Sequence, residues 1–390
     1  MIKRNKVLVT CQKYPPVYSG YGNQAKSVFN SIVKNSNIKF NVLTANYSEA
    51  KNSEAEGISV KTLGRRGIFN KYEKVGLFSY SIESFFWMIL NARGFSLIHC
   101  ISGHSPTAIP SILVGTITKK KVLVKITQAE YRPYSKKVGV IHNLARRLRQ
   151  KIVSKADVFI AISQEIKDEL IDYGISKDKI INIPNGVDST KYYPVSKNRK
   201  NELRKINNLN NDSIIILYAG ALNRRKGTYD LLEAIKQLDQ TLYETVEIVL
   251  CGPDHEDIYK NYIVNKDYPV QITYKGSVKN LDEYYQMSDI FVLPSYSEGL
   301  PNVLLEAAMC GLAVVASDIG GNRDVISSSK LGILYPVGNV MKLSEAIQEL
   351  LNNSKIRIDF SNSIYEMALK KFSLTLVSEQ YQELYFKLIE

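Results

Sequence analysis

No apolar run in this chain approaches the roughly 18 residues that a membrane-spanning helix needs. The longest candidate, Phe85–Leu90, is six residues. The N-terminal MIKRNKVLVTCQ has a charged start, but its apolar run is too short for a secretory leader and reads as a first strand. Cysteine is scarce. Cys11, Cys100, Cys251 and Cys310 are scattered over 390 residues with neither metal spacing nor a disulfide framework. Each follows or sits in an apolar segment, which predicts buried free thiols in a reducing cytoplasm. There is no fixed-period repeat and no low-complexity tract. Nor is there a helix-turn-helix, zinc-finger or aromatic RNA-binding strand pattern, so nucleic acid is not expected as a partner. No Asp-x-Asp motif stands near a strand end. GPDHED (252–257) is acid-rich and contains His255, and it reads as a solvated turn rather than a metal site.

What is present is an alternation. KVLVTC (6–11), FNVLTA (40–45), SLIHC (96–100), KVLVKIT (121–127) and DVFIAIS (157–163) read as strands separated by helical stretches. A Pro/Gly loop, YPPVYSGYGNQ, follows the first strand, and a helix is expected from about Ala25 to Val33. SIIILYAG (213–220), VEIVLCG (246–252), VQITYKG (270–276), DIFVLP (289–294) and LAVVAS (312–317) repeat the scheme. Uninterrupted apolar strands between helices imply parallel sheets covered on both faces. Two doubly wound α/β units are expected, joined near 191–205, where apolar periodicity lapses. Ligands in such sheets bind at the carboxyl ends of the strands, and the deepest cleft is expected between the two units.

Charge divides the same way. The chain carries a net +13, but residues 1–191 carry +17 and the remainder −4. Residues 119–155 hold 12 basic side chains and one acidic one, Glu130. Such asymmetry points to two domains with different partners.

The densest chemistry lies in SYSEGLPNVLLEAAMCG (295–311), where Glu298 and Glu306 stand eight residues apart. A helix opens at Pro301, a residue suited to the first helical position, and stops at Gly311. A strand, a short loop and a helix N-terminus form a natural anion site. A carboxylate a turn and a half into that helix is better suited to sugar or ribose hydroxyls than to phosphate. The segment therefore reads as a sugar-nucleotide site.

SEGLPNVLLEAAMCGLAVVAS resembles the E-x7-E signature of glycosyltransferase family 4, the retaining enzymes of GT-B fold. The order of further segments is also similar: PPVYSGYGNQ, PNGVD (184–188), GALNRRKG (220–227), VLCGP (249–253), KGSVKNLDEYY (275–285) and the C-terminal FSLTLVSEQYQELYFKL. The resemblance implies an N-terminal acceptor domain (1–195), a C-terminal donor domain (196–368) and a last helix (369–390) that crosses back to the first. It implies transfer of a sugar from a nucleoside diphosphate sugar to a polysaccharide, glycolipid or lipid-linked acceptor.

By that resemblance Lys226 holds the diphosphate, with Arg224 or Arg225 assisting because position 221 is Ala where the family has Arg. Glu306 takes the ribose, and Glu298 contacts the transferred sugar near the reacting carbon. Backbone N–H groups of Gly299, Leu300, Asn302 and Val303 face sugar and phosphate oxygens, and the base rests around Gly276–Val278. Gly20 and Gly22 let the first loop approach the phosphates. With Lys226 and a helix N-terminus available, no metal or other cofactor is required.

The family's histidine after the fourth strand is missing, since Thr127 and Gln128 stand there. Glu130 is the candidate for handling the acceptor proton. His99 and His104 follow another strand, and either can equally be structural. The basic amphipathic stretch 141–157 carries Arg146, Arg147, Arg149, Lys151 and Lys155, which fits either a plain surface helix or contact with an anionic membrane surface on the cytoplasmic side, and the charge excess favours the latter. A sugar-nucleotide epimerase or phosphorylase of the same fold, and a non-catalytic polyanion-binding protein, are the alternatives.

Overall fold

The computed structural model describes residues 5–65, 72–102, 105–128, 140–264 and 268–389, with the side chains of 105 and 140–146 outside that description. It divides into two units, one of residues 1–186 with 374–390 and one of residues 187–373.

In the first unit the chain runs β1 (Lys6–Cys11), α1 (Gly20–Asn35), β2 (Lys39–Ala45), β3 (Ser53–Ala55), β4 (Ile58–Leu63), α2 (Glu73–Leu90), β5 (Leu97–Ile101), α3 (Ser105–Thr118), β6 (Lys121–Ile126), α4 (Val140–Val153), β7 (Val158–Ala161), α5 (Gln164–Asp172) and β8 (Ile180–Asn182). The eight strands order as β3-β4-β2-β1-β5-β6-β7-β8, and every pairing is parallel except β3 with β4. The apolar runs become these strands because both faces are covered: Val7, Leu8, Leu97, Ile98, Leu123 and Val124 lose all solvent contact.

The second unit holds α6 (Lys197–Ile206), β9 (Ile214–Ala219), α7 (Thr228–Ile235), β10 (Val246–Cys251), β11 (Gln271–Gly276), α8 (Leu281–Met287), β12 (Ile290–Leu293), α9 (Asn302–Met309), β13 (Ala313–Ser317), α10 (Gly320–Val325), β14 (Ile333–Tyr335), α11 (Val340–Asn352) and α12 (Ser354–Phe372). Its six strands are all parallel, in the order β11-β10-β9-β12-β13-β14. The last helix, α13 (Leu374–Ile389), returns to the first unit and packs against α1, burying Val377, Tyr381 and Tyr385.

The structure departs from the sequence reading in several places, and it adds the strands β3, β4, β8 and β14. Helix α1 begins at Gly20, earlier than Ala25, because Ser19 caps it by accepting the Gly22 N–H at 3.0 Å. Pro301 is the cap residue of α9 rather than its first helical residue, with φ −74° and ψ 115°. The boundary between units falls at 186/187, ahead of the lapse in periodicity at 191–205, because 197–206 forms α6 on the second unit. All four cysteines are buried free thiols.

Helix α13 covers a buried polar cluster. Lys125 on β6 is 3% exposed. Its Nζ donates to Asn185 Oδ1 at 3.1 Å and lies 5.6 Å from the centre of the Tyr381 ring. Burial pushes its pKa down to about 8. The unfolded chain therefore binds more protons than the native one between about pH 8 and the normal lysine value of 10.5. The penalty is full below the lower value and fades as pH rises through that window. Lys125→Met is expected to stabilise the chain by on the order of 1–3 kcal/mol at neutral pH. The advantage should shrink as the pH is raised, when unfolding midpoints of the two proteins are compared; a pH-independent difference would refute this account.

Candidate active site

The second unit gathers its chemistry at the carboxyl ends of its strands. Three loops are stitched there by backbone. Gly220 N–H donates to the Cys251 carbonyl and Gly252 N–H to the Gly276 carbonyl, each at 2.8 Å. A Cβ on Gly252 would lie 1.9 Å from the Gly220 carbonyl oxygen, so the loops after β9 and β10 meet with no room for a side chain. Gly276 sits at φ +64°, and Val278 is half-buried just beyond it.

After β9 the chain makes a 3₁₀ turn, Arg224–Lys226, capped by Asn223, whose side chain accepts the Lys226 N–H at 2.9 Å. Gly227 then takes φ +71°, and a Cβ there would lie 1.9 Å from the Pro294 carbonyl oxygen. This contact sets Lys226 beside the end of β12. Arg225 accepts the Tyr296 N–H at its carbonyl and donates from its guanidinium to the Ser297 carbonyl at 3.0 Å. Arg224 instead lies over the Tyr229 ring.

These restraints bring Lys226 Nζ to 2.5 Å from Glu298 Oε1. The two side chains are 16% and 10% exposed. A charged pair so enclosed is strongly coupled, and removing either member leaves an uncompensated charge. The loop that carries Glu298 is held from beneath. Ser317 Oγ donates to the Ser295 carbonyl, and Asn322 Nδ2 donates to the Ser317 carbonyl at 2.8 Å, with all three residues fully buried. Gly321 packs on the loop from α10, where a Cβ would approach the Gly299 carbonyl oxygen to 2.3 Å.

Leu300 is buried, whereas Asn302 and Val303, in the first turn of α9, are partly exposed. Glu306 lies one turn further. Its Oε2 accepts from the Tyr285 hydroxyl at 3.1 Å. Burial pushes its pKa up to about 7, against the Tyr285 hydrogen bond and the nearby Lys191 charge, which lower it. Lys191 itself pairs with Asp282 at 3.3 Å.

Of the residues read from sequence, Lys226, Arg225, Glu298, Gly299, Leu300, Asn302, Val303, Glu306, Gly276 and Val278 all lie at strand ends, on loops or in the first two helical turns of this one unit. Gly20 and Gly22 belong to the first unit. There Gly22 has a structural reason to lack a side chain, since a Cβ would sit 2.1 Å from the Lys13 carbonyl oxygen. Glu130 and His104 lie outside the described residues. His99 is 1% exposed, its Nδ1 hydrogen-bonded to the Tyr385 hydroxyl at 2.7 Å, and burial holds its pKa well below the usual imidazole value. It is a structural imidazole. Asp254 of the acid-rich turn accepts the Ile258 and Tyr259 N–H groups, which commits it to a local cap. Among the described residues no group of three or more His, Cys, Asp or Glu is placed to hold a metal ion. Sequence reasoning missed Tyr285 and the Ser295–Ser317–Asn322 support. The serines had a signal: parallel neighbours β12 and β13 both run into Ser after an apolar run.

Residues 199–367 match the family described as glycosyl transferases group 1, and residues 34–191 match glycosyltransferase family 4. The chain belongs to glycosyltransferase family 4. The fold of this glycosyltransferase is GT-B. Over 340 residues it is 25% identical to the N,N'-diacetylbacillosaminyl-diphospho-undecaprenol alpha-1,3-N-acetylgalactosaminyltransferase of Campylobacter jejuni, covering 85% of this chain and 88% of that one. Its fold is similar to that of Anabaena Alr3699/HepE, solved in complex with UDP and glucose (TM-score 0.74, 16% identity, 98% and 99% of the two chains covered). It is similar also to that of WaaG, a glycosyltransferase involved in lipopolysaccharide biosynthesis (TM-score 0.75, 14% identity, 97% and 99% covered).

The raised pKa of Glu306 has a sign that can be measured. The native carboxyl keeps its proton to higher pH than the unfolded one. Its favourable contribution is full below the ordinary carboxylate range and is lost as pH rises through about 7. Glu306→Gln should match the parent near pH 5 and exceed it by on the order of 1–3 kcal/mol near pH 8. Parallel unfolding curves at the two pH values, with no widening of the gap, would rule this out.

Proposed function

We propose that this glycosyltransferase moves a sugar from a nucleoside diphosphate sugar, with retention at the anomeric carbon, to a glycan or lipid-linked acceptor. The observation that carries the reading is the enclosed Lys226–Glu298 pair standing one helical segment from Glu306 in a single unit. Each charge suits one part of such a donor. Transfer breaks the bond between the anomeric carbon and a diphosphate oxygen and forms one to an acceptor oxygen. Negative charge accumulates on the leaving diphosphate. The Lys226 ammonium and the N–H groups at the start of α9 meet that charge from fixed positions, and such preorganised donors typically supply about 10²–10³ in rate each. This scheme calls on no metal ion. Glu298, released from part of its hold on Lys226 when the diphosphate arrives, faces the hydroxyls of the transferred sugar. Glu306, ionised, accepts from two vicinal ribose hydroxyls, worth about 1.5–3 kcal/mol per charged hydrogen bond.

The setting we propose is the cytoplasmic face of an anionic membrane. The C. jejuni relative is named for an undecaprenol-linked acceptor. No helix among the described residues is long and apolar enough to cross a bilayer. The charge split favours a polyanionic surface at the first unit, and lipid fits better than nucleic acid because no nucleic-acid-binding motif accompanies it. On α4, Arg147 and Lys151 are exposed, as is Lys155 just beyond it, whereas Arg149 is half-buried with its Nε shielded from solvent.

Three variants divide the donor roles. Lys226→Ala and Glu306→Ala should each weaken nucleoside diphosphate binding in calorimetry, the latter about 10- to 100-fold. Glu298→Ala should abolish most turnover yet keep or tighten nucleoside diphosphate affinity, because it leaves Lys226 unpaired. Equal loss of affinity in all three would overturn the division. Retention is read from the anomeric configuration of the product by NMR.

Arg147→Glu combined with Lys151→Glu should weaken binding to vesicles containing phosphatidylglycerol, and added salt should mimic the change. Binding to neutral vesicles as strong as to anionic ones would remove the electrostatic part of the proposal.

A further inference from the structure

Eighteen large apolar side chains stand exposed among the described residues, and eight of them fall on one layer of the first unit. Six belong to α2 and its cap Tyr72. Along the helix Val75, Phe78, Ile82 and Phe86 recur every three or four residues, which places them on one face. Phe78 is 69% exposed and Phe86 59%, and Leu90 extends the line at 83%. The opposite face of the same helix, Gly76, Tyr80, Ser84 and Met88, is buried. The outer face is therefore not an unsatisfied core face but a second apolar stripe.

The layer continues sideways. The crossovers β4–α2–β5, β5–α3–β6 and β6–α4–β7 all step the same way along the sheet. Right-handed crossovers then put the three helices on one side. Helix α2 packs on α3 and α3 on α4. Ile117 of α3 and Leu148 of α4 are also exposed, so apolar surface and the Arg147 and Lys151 cations share this layer.

Charge identifies the occupant. Neither α3 nor α4 contains an acidic residue. The two carboxylates of α2 are engaged by neighbouring groups. Glu73 accepts from the Tyr47 hydroxyl at 2.9 Å and lies 3.6 Å from Lys13 Nζ, and Glu83 accepts the Gly64 N–H at 2.7 Å and the Ser79 hydroxyl at 2.8 Å. A second copy of this chain would bring cations against cations. An apolar stripe beside acid-free cationic helices matches an anionic lipid surface, with headgroups for the cations and acyl chains for the rings.

We propose that the α2 stripe inserts into the boundary region of an anionic bilayer, so that α4 attracts the membrane and α2 enters it. The inference builds on the membrane setting proposed above and adds a separate element with a separate test. Trp87, the only tryptophan of the chain, is half-buried on the flank of α2 between the stripe and the buried face, with Lys61 Nζ 5.5 Å from its ring centre, close enough to the stripe for its emission to sense lipid around the helix.

The experiment uses the full chain with vesicles of phosphatidylcholine and phosphatidylglycerol. Trp87 emission should shift to the blue and be quenched by brominated lipid. Part of the binding should survive high salt, because insertion is not screened. Phe78→Ser with Ile82→Ser and Phe86→Ser should lose that salt-resistant part and bind about tenfold or more weakly. Its melting temperature and nucleoside diphosphate affinity should be unchanged, since the three side chains face solvent and lie in the other unit from the donor residues. Arg147→Glu with Lys151→Glu should lose only the salt-sensitive part, which separates failure of the electrostatic setting from failure of insertion. Undiminished vesicle binding by the serine variant, or Trp87 that is not quenched, overturns the proposal. So does a lipid-free dimer that the serine variant dissociates, because the stripe would then be covered by a second copy.

Discussion

A lysine and a glutamate 72 positions apart meet at 2.5 Å, and much of the second unit is arranged so that they do. The pair depends on the absence of a side chain at Gly227, which lets the turn after β9 touch the end of β12. It depends equally on the buried Ser295–Ser317–Asn322 bonds that fix the level of the Glu298 loop. Backbone contacts, neutral polar groups and the Arg225 guanidinium on the Ser297 carbonyl carry the positioning. A pair held this way keeps a cation and an anion within reach of each other.

The strands were legible because parallel sheets bury both faces and so write continuous apolar runs into the chain. Edges were less legible. The strands β3, β8 and β14 are three residues each and carry too little apolar signal to stand out, and β4 went unread because ISVKTL mixes polar with apolar residues. The Glu298 and Glu306 positions could be read because loop, helix start and helix stop lie in one contiguous string. Lys226 could be read only through the family resemblance, and its partner could not, because an ion pair across strands leaves no trace in linear spacing. Tyr285 was hidden for the same reason: it is one of 25 tyrosines, and only the fold brings its hydroxyl to Glu306. Gly20 and Gly22, which the resemblance likens to a glycine-rich first loop, stand in the first turn of a capped helix.

Burial disfavours the charge of Lys125 in the first unit and of Glu306 in the second. Their surroundings differ. Lys125 has an amide and a ring beside it and lies almost sealed from solvent. Glu306 has a tyrosine hydroxyl beside it and is partly open to solvent. A destabilised carboxylate at an accessible position is a common mark of a site shaped for binding rather than for folding.

The passage between the units has a topological consequence. Val187 N–H donates to the Phe372 carbonyl at 2.7 Å, and Val187 bridges to Ser373 in parallel. The points where the chain enters and leaves the second unit are thus adjacent. That unit is an excursion that returns to its own doorstep, with the C-terminal helix resuming where the first unit paused. Ends this close are the geometry in which one domain is inserted into another. The second unit can accordingly be excised, closed on itself or exchanged without lengthening either connection.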